Sequence, residues 1–143
     1  LSWSTILKKR EGYRKAFHNF DAKKIAKISE AKVEKLLQNH EIIRNRLKVN
    51  AFIKNAKVFL SIQKEFGSFD SYIWSFVGSK PIQNKWKKQS DAPSVTPIAE
   101  TMSKDLKKRG CSFVGPTICY AFMQATGMVN DHTTDCFRYK EVQ

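Results

Sequence analysis

From Thr96 to Gly127 the sequence spells two helices joined by a tight turn, and this hairpin sets the class of fold. Thr96-Pro97 is a helix start, because the threonine hydroxyl caps free N–H groups and proline is tolerated at the first helical position. Ile98, Met102 and Leu106 follow at i, i+4 and i+8, and Gly110 stands where a left-handed residue closes a helix. The segment from Gly110 to Thr117, Gly-Cys-Ser-Phe-Val-Gly-Pro-Thr, turns the chain into a second helix that Gly127 ends. Ile118, Ala121, Phe122 and Ala125 are its expected inward face.

A hairpin of this layout aims the free N–H groups of its second helix, backed by the positive end of the dipole, at an anion such as phosphate. Gly115 lets the backbone approach closely, and Lys104, Lys107, Lys108 and Arg109 stand just before the turn. An ordinary αα-hairpin whose glycines only cap and turn is the competing reading, with the cations as a solvated face. Net charge tilts the balance: 26 lysines and arginines against 13 acids give +13, which favours a polyanionic partner. Phosphate contacts of this kind position a protein on nucleic acid without reading base sequence.

The remaining pattern is all-α. Helices are expected from about Ser4 to His18, with Ile6, Leu7, Tyr13 and Phe17 inward, and from an Asp21 cap to about Ile28. A Ser29-capped helix should end near Asn39, and a long helix should run from Ile42 to Phe66 with Ile53, Ala56, Phe59, Leu60 and Gln63 inward. Phe69 to Val77 completes the set, and no convincing strand is visible. Periodicity vanishes between Gly78 and Thr96, a length at which loops are usually functional or mobile. Within it, Lys85-Trp86-Lys87-Lys88 suits either a DNA-backbone contact with a stacking tryptophan or a mobile basic loop.

At 143 residues and 41% hydrophobic composition, one domain spanning 1–143 is expected. No apolar run approaches the roughly 20 residues that span a bilayer, so no membrane role is expected. Cys111, Cys119 and Cys136 are odd in number and irregularly spaced, which argues for free thiols in a reducing, cytoplasmic setting. The chain opens Leu-Ser-Trp without a methionine, just before a helical pattern, and an N-terminal segment is expected upstream.

Several motifs in order carry a family resemblance. They are Leu-Ser-Trp-x-x-Ile-Leu-Lys-Lys-Arg-Glu-x-Tyr-Arg at 1–14, Ile-Ile-Arg-Asn-Arg-x-Lys at 42–48 and Trp-Ser-Phe-Val at 74–77. The longest is Leu-Lys-Lys-Arg-Gly-x-x-Phe-Val-Gly-x-Thr-Ile-Cys-Tyr-x-Phe-Met-Gln-Ala-x-Gly-x-Val-Asn-Asp-His at 106–132. Together they resemble the constitutive bacterial 3-methyladenine-DNA glycosylases, of the helix-hairpin-helix superfamily. The resemblance implies an all-α helix-hairpin-helix domain, with the hairpin at about 97–127 as the DNA clamp. It also implies a monomer that acts on double-stranded DNA containing alkylated adenine.

By this resemblance Trp3 lines the base pocket and Leu1 lies beside the segment that plugs the gap in the duplex. Gly110, Phe113, Gly115, Thr117, Lys107, Lys108 and Arg109 form the DNA-binding set. Stacking and cation–π attraction suit an aromatic side chain to a flipped cationic base. The superfamily's catalytic aspartate corresponds to Asn130, or to Asp131 with a one-residue shift. Thr117 replaces the lysine that strand-cutting members use for Schiff-base chemistry. The family's base-binding glutamate and a pocket tyrosine would lie upstream of Leu1.

His132 and Cys136, in His-x-x-x-Cys spacing, are two candidate ligands where structural zinc needs four. The resemblance implies a structural zinc whose other cysteine and histidine lie upstream of Leu1. Two other classes stay open: a non-catalytic DNA-binding or lesion-recognition module using the same hairpin, and a basic helical RNA-binding protein.

Overall fold

The computed structural model describes residues 2–143, and Leu1 lies outside the described residues. The expected all-α class holds. Where the sequence suggests one domain, the chain divides into two compact units, Leu1–Ser61 with Gly110–Ser112 and Ile62–Arg109 with Phe113–Gln143.

The first unit holds α1 (Trp3–Lys8), α2 (Arg10–Ala16), a 3-10 turn (His18–Phe20), α3 (Ala22–Ile25), α4 (Glu30–Leu36) and most of α5 (Arg46–Phe66). The helix expected over 4–18 is broken at Lys9, whose φ of −96° and ψ of 2° leave the helical region. Leu7, expected inward, is 57% exposed, whereas Phe17 is fully buried. Asp21 and Ser29 cap α3 and α4 as their side-chain chemistry predicts, accepting bonds from first-turn N–H groups. Phe17 stacks on Phe52 at 4.3 Å between ring centroids, within a core of Ile25, Val33, Leu36, Ile42, Val49 and Ala56.

Gly12 of α2 is where the backbone comes closest to another segment. A Cβ built there would sit 2.7 Å from the Cβ of Glu41 and overlap the Glu41 carbonyl outright, so only glycine fits.

In the second unit, α6 (Phe69–Ser75), α7 (Pro97–Lys108), α8 (Pro116–Ala125) and α9 (Phe137–Glu141) surround a core that includes Tyr72, Met102, Leu106, Tyr120, Met123 and Met128. The unexpected element is a parallel pair, β1 (Ile82–Gln83) against β2 (Val129–Asn130), registered Ile82 to Val129. Two residues per strand are too few to show alternation in sequence. The pair tethers the first part of the 78–96 stretch, which also contains a 3-10 turn at Gln89–Asp91.

The face of α8 also differs from expectation. Ile118, Ala121, Phe122 and Ala125 are exposed, and Cys119, Tyr120 and Met123 are buried. This helix is apolar nearly all round, so periodicity cannot choose its inward face.

Candidate nucleic-acid interface

Thr96 caps α7 as expected, its Oγ1 accepting from the Ala99 N–H at 3.3 Å, and Pro97 occupies the first turn. Gly110 follows at φ 106°, a conformation that favours glycine. In the first unit, the Asn55 side-chain amide clasps Ser112 from both sides. Its Nδ2 donates to the Ser112 carbonyl at 3.0 Å and its Oδ1 accepts from the Ser112 N–H at 2.9 Å.

In the second unit, the buried Ser103 hydroxyl of α7 donates to the Val114 carbonyl at 2.6 Å, and the Cys119 thiol approaches the same oxygen at 3.6 Å. The Val114 carbonyl is thereby drawn in among side chains of α7 and α8. Because C=O and N–H point opposite ways across a trans peptide, the Gly115 N–H is turned outward. Gly115 precedes α8 without a side-chain cap, and a Cβ placed there would meet nothing within 4 Å. Among the described residues no backbone acceptor takes the N–H of Gly115, Thr117 or Ile118. The result is an open, uncapped set of donors at the start of a ten-residue helix.

Around these donors, Phe113 sits in the turn with a left-handed backbone (φ 59°) and half its surface exposed. Lys107, Lys108 and Thr117 are exposed. Arg109, a member of the expected DNA-binding set, is engaged by other side chains of the protein. Its guanidinium makes two bonds to Glu65 at 2.7 and 3.3 Å and one to Asp105 at 2.7 Å, and it lies 5.0 Å from the Phe66 ring centroid. With those donors committed, Arg109 ties α7 to the end of α5. Tyr72 completes this cluster by donating its hydroxyl to Asp105 at 2.7 Å. Burial pushes the Asp105 carboxyl up, but the bonds from Arg109 and Tyr72 outweigh it and hold the group below its ordinary value.

Trp3 opens α1 and is 83% exposed, so it is not a core residue in this chain. It belongs to the first unit, and the stretch from Asn130 to Cys136 belongs to the second.

Within that stretch, Asn130 is buried and satisfied. Its amide donates to Gln83 Oε1 at 2.8 Å and to the Tyr139 carbonyl at 3.0 Å, and its oxygen accepts from the His132 N–H at 3.3 Å. Asp131 receives four side-chain donors. Asn84 Nδ2 (2.6 Å) and Trp86 Nε1 (2.8 Å) meet one oxygen, and the Tyr120 hydroxyl (2.5 Å) and Gln124 Nε2 (2.9 Å) meet the other. Burial raises its carboxyl, but these four bonds prevail and keep it ionised below the usual range. With both oxygens so occupied, Asp131, one of the two catalytic candidates, anchors the side chains of Asn84, Trp86, Tyr120 and Gln124. The same bond to Trp86 removes the indole N–H from any nucleic-acid contact.

His132 Nδ1 and Cys136 Sγ lie 3.7 Å apart, close enough to share one metal ion. Among the described residues no cluster of three or more His, Cys, Asp or Glu side chains accompanies them. An open concavity of about 380 Å³ lies beside the pair, lined by Gln124, Asn130, Asp131, His132 and Arg138 among others.

Sequence reasoning missed the hubs at Asp105 and Asp131. The Asp105–Arg109 and Tyr120–Gln124 spacings, i to i+4 on expected helices, were the signals available. Nothing local announced Asn84 or Trp86.

Comparison with known proteins is consistent along the chain. A family described as methyladenine glycosylase matches residues 1–139. A DNA-3-methyladenine glycosylase of Haemophilus influenzae is 50% identical over 136 residues, covering 95% of this chain and 74% of that protein. DNA-3-methyladenine glycosylase 1 of Escherichia coli is 48% identical over 139 residues, with 97% and 74% covered. A crystal structure of a 3-methyladenine DNA glycosylase I superposes with a TM-score of 0.89 at 50% identity, covering 96% of this chain and 75% of its own. The Staphylococcus aureus enzyme, in a structure described as the basis of its 3-methyladenine recognition, superposes at 0.90 with 36% identity, covering 96% and 73%.

Proposed function

Because the chain belongs to the methyladenine glycosylase family, we propose that it excises 3-methyladenine from double-stranded DNA, as a base-excision repair hydrolase of N-glycosyl bonds. The observation that carries this reading is the family match along residues 1–139. The bond between C1′ of the sugar and N9 of the base breaks, its electron pair leaving with the base as neutral 3-methyladenine; a water oxygen bonds to C1′, keeping one hydrogen as the new hydroxyl and releasing the other as a proton. Methylation at N3 makes the base cationic before it leaves, so the protein needs little acid or base catalysis. The lack of a free carboxylate at Asn130 and Asp131 fits that economy.

Trp3, exposed on the first turn of α1, suits stacking on the flipped cationic base. The α7–α8 hairpin acts as the phosphate clamp, its donors being the outward N–H groups of Gly115, Thr117 and Ile118, with Lys107 and Lys108 adding charge. Thr117 in the hairpin makes the enzyme monofunctional, with no strand-cutting step. His132 and Cys136 supply half of a structural zinc set, and the family resemblance draws the other two ligands from upstream of Leu1. Such a metal would have a structural role, joining chain segments together. Among the described residues no helix is long and apolar enough to cross a membrane; the family resemblance supports a cytoplasmic monomer.

The test is to incubate the protein with methylated duplex DNA and assay free bases by chromatography. Free 3-methyladenine should appear, with the abasic strand intact until treated with base or heat. Trp3→Ala should cut excision by about tenfold or more, matching the roughly 1–3 kcal/mol of a base–aromatic stack, while binding to undamaged duplex barely changes. Binding without base release would replace the enzyme by a lesion-recognition module.

A further inference from the structure

The stretch after β1 behaves unlike a mobile basic loop. Its residues alternate: Ile82, Asn84 and Trp86 are partly buried, and Lys85 and Lys87 between and beyond them are exposed. Every inward residue is fastened. The Ile82 N–H donates to the Met128 carbonyl at 2.9 Å, and Asn84 holds the Asn130 carbonyl through its own N–H at 3.3 Å. The Trp86 carbonyl accepts from the Thr134 N–H at 2.9 Å, and the side chains of Asn84 and Trp86 both end on Asp131. Among the described residues, neither Lys85 nor Lys87 makes an ion pair.

A solvated face of lysines does not require its backbone to be held at every second residue. Holding it has one physical effect that matters for binding: the segment is already ordered in the free protein, so ordering it costs nothing when a partner arrives. Two ammonium groups two residues apart on an extended chain are offset by roughly 6–7 Å along it, close to the step between successive phosphates of one DNA strand.

We propose that Lys85 and Lys87 form a second backbone-contact ridge for duplex DNA, held in place by Asp131 acting as a positioning residue through Asn84 and Trp86. The ridge is fastened to Asn130 and Asp131 through Asn84 and Trp86. This inference rests on the duplex-DNA reading proposed above.

The experiment measures binding of the whole chain to a short undamaged duplex across about 50 to 200 mM salt. In wild-type protein, log K should fall linearly with log salt. Lys85→Ala/Lys87→Ala should reduce that slope by about 1.8, or about 0.9 for each phosphate no longer neutralised, without changing the melting temperature. Lys32→Ala/Lys35→Ala on α4 removes the same charge and should leave the slope as it was. Trp86→Phe, which replaces the indole by a smaller aromatic ring without an N–H, should reproduce part of the reduction in slope.

An unchanged slope in the ridge pair overturns the inference, as does an equal reduction in both pairs, which would mean that net charge alone is felt. A wild-type slope in Trp86→Phe would overturn the positioning role given to Asp131. If wild-type protein binds no undamaged duplex, the reading beneath the inference falls. If it binds and only the ridge pair is silent, the ridge alone is removed.

Discussion

Asp105 and Asp131 are two solutions to one problem, a partly buried carboxylate in the second unit that accepts a tyrosine hydroxyl. At Asp105 the partner beside Tyr72 is a cation, Arg109, itself shared with Glu65. At Asp131 the partners beside Tyr120 are the neutral donors Asn84, Trp86 and Gln124. Both carboxyls are held below their ordinary value, and both tyrosines are pushed well above theirs by burial first and then by the bond to the carboxylate. The difference is in what carries the stabilisation. Asp105 leans on an opposite charge and so on ionic strength, whereas Asp131 leans on dipoles fixed in direction by the surrounding fold.

The largest effect should come from Asp131→Ala, which leaves the Tyr120 hydroxyl, the Trp86 N–H and the Asn84 amide without an acceptor. A loss of about 3 kcal/mol in denaturant unfolding at neutral pH is expected, since each stranded buried group costs roughly 1–3 kcal/mol. Because the folded carboxyl is depressed, its contribution is present above the unfolded value near 4 and disappears as pH falls through the folded value. The gap between variant and wild type should therefore begin to narrow as pH falls below about 4. A gap that persisted in acid would mean that Asp131 acts through packing instead.

Asp105→Ala should cost less, about 1–2 kcal/mol by the same measurement, because Arg109 keeps its two bonds to Glu65 and its contact with Phe66. A loss matching that of Asp131→Ala would erase the proposed distinction. Smallest and most discriminating is the response to salt. The coupling between Asp105 and Arg109 in a double-mutant cycle should fall by about 0.5 kcal/mol on going from low to high salt, whereas that between Asp131 and Tyr120 should not move.

The hairpin was legible because its signals are local. Thr96 as cap, Pro97 in the first turn and Gly110 at positive φ each follow from one residue's own stereochemistry. The inward face of α8 was not, since a helix with apolar residues on every side has no preferred stripe until a tertiary partner selects one. Here α7 packs against α8, and Asp131 takes the hydroxyl of the buried Tyr120. The break at Lys9 and the two-residue strand pair depend likewise on segments far away in sequence. The site divides along the same line. Family motifs pointed to Trp3 and to the 130–136 stretch, but Arg109 looked available to DNA only because Glu65, distant in sequence, could not be seen to hold it.

Gly12 has a consequence in the genetic code. Every single-base missense change of a glycine codon introduces a residue with a Cβ, and here that atom would fall on the Glu41 carbonyl. No such change at this codon can be conservative, not even to alanine. The gene therefore carries, at one position, a codon whose drift is closed by backbone geometry alone.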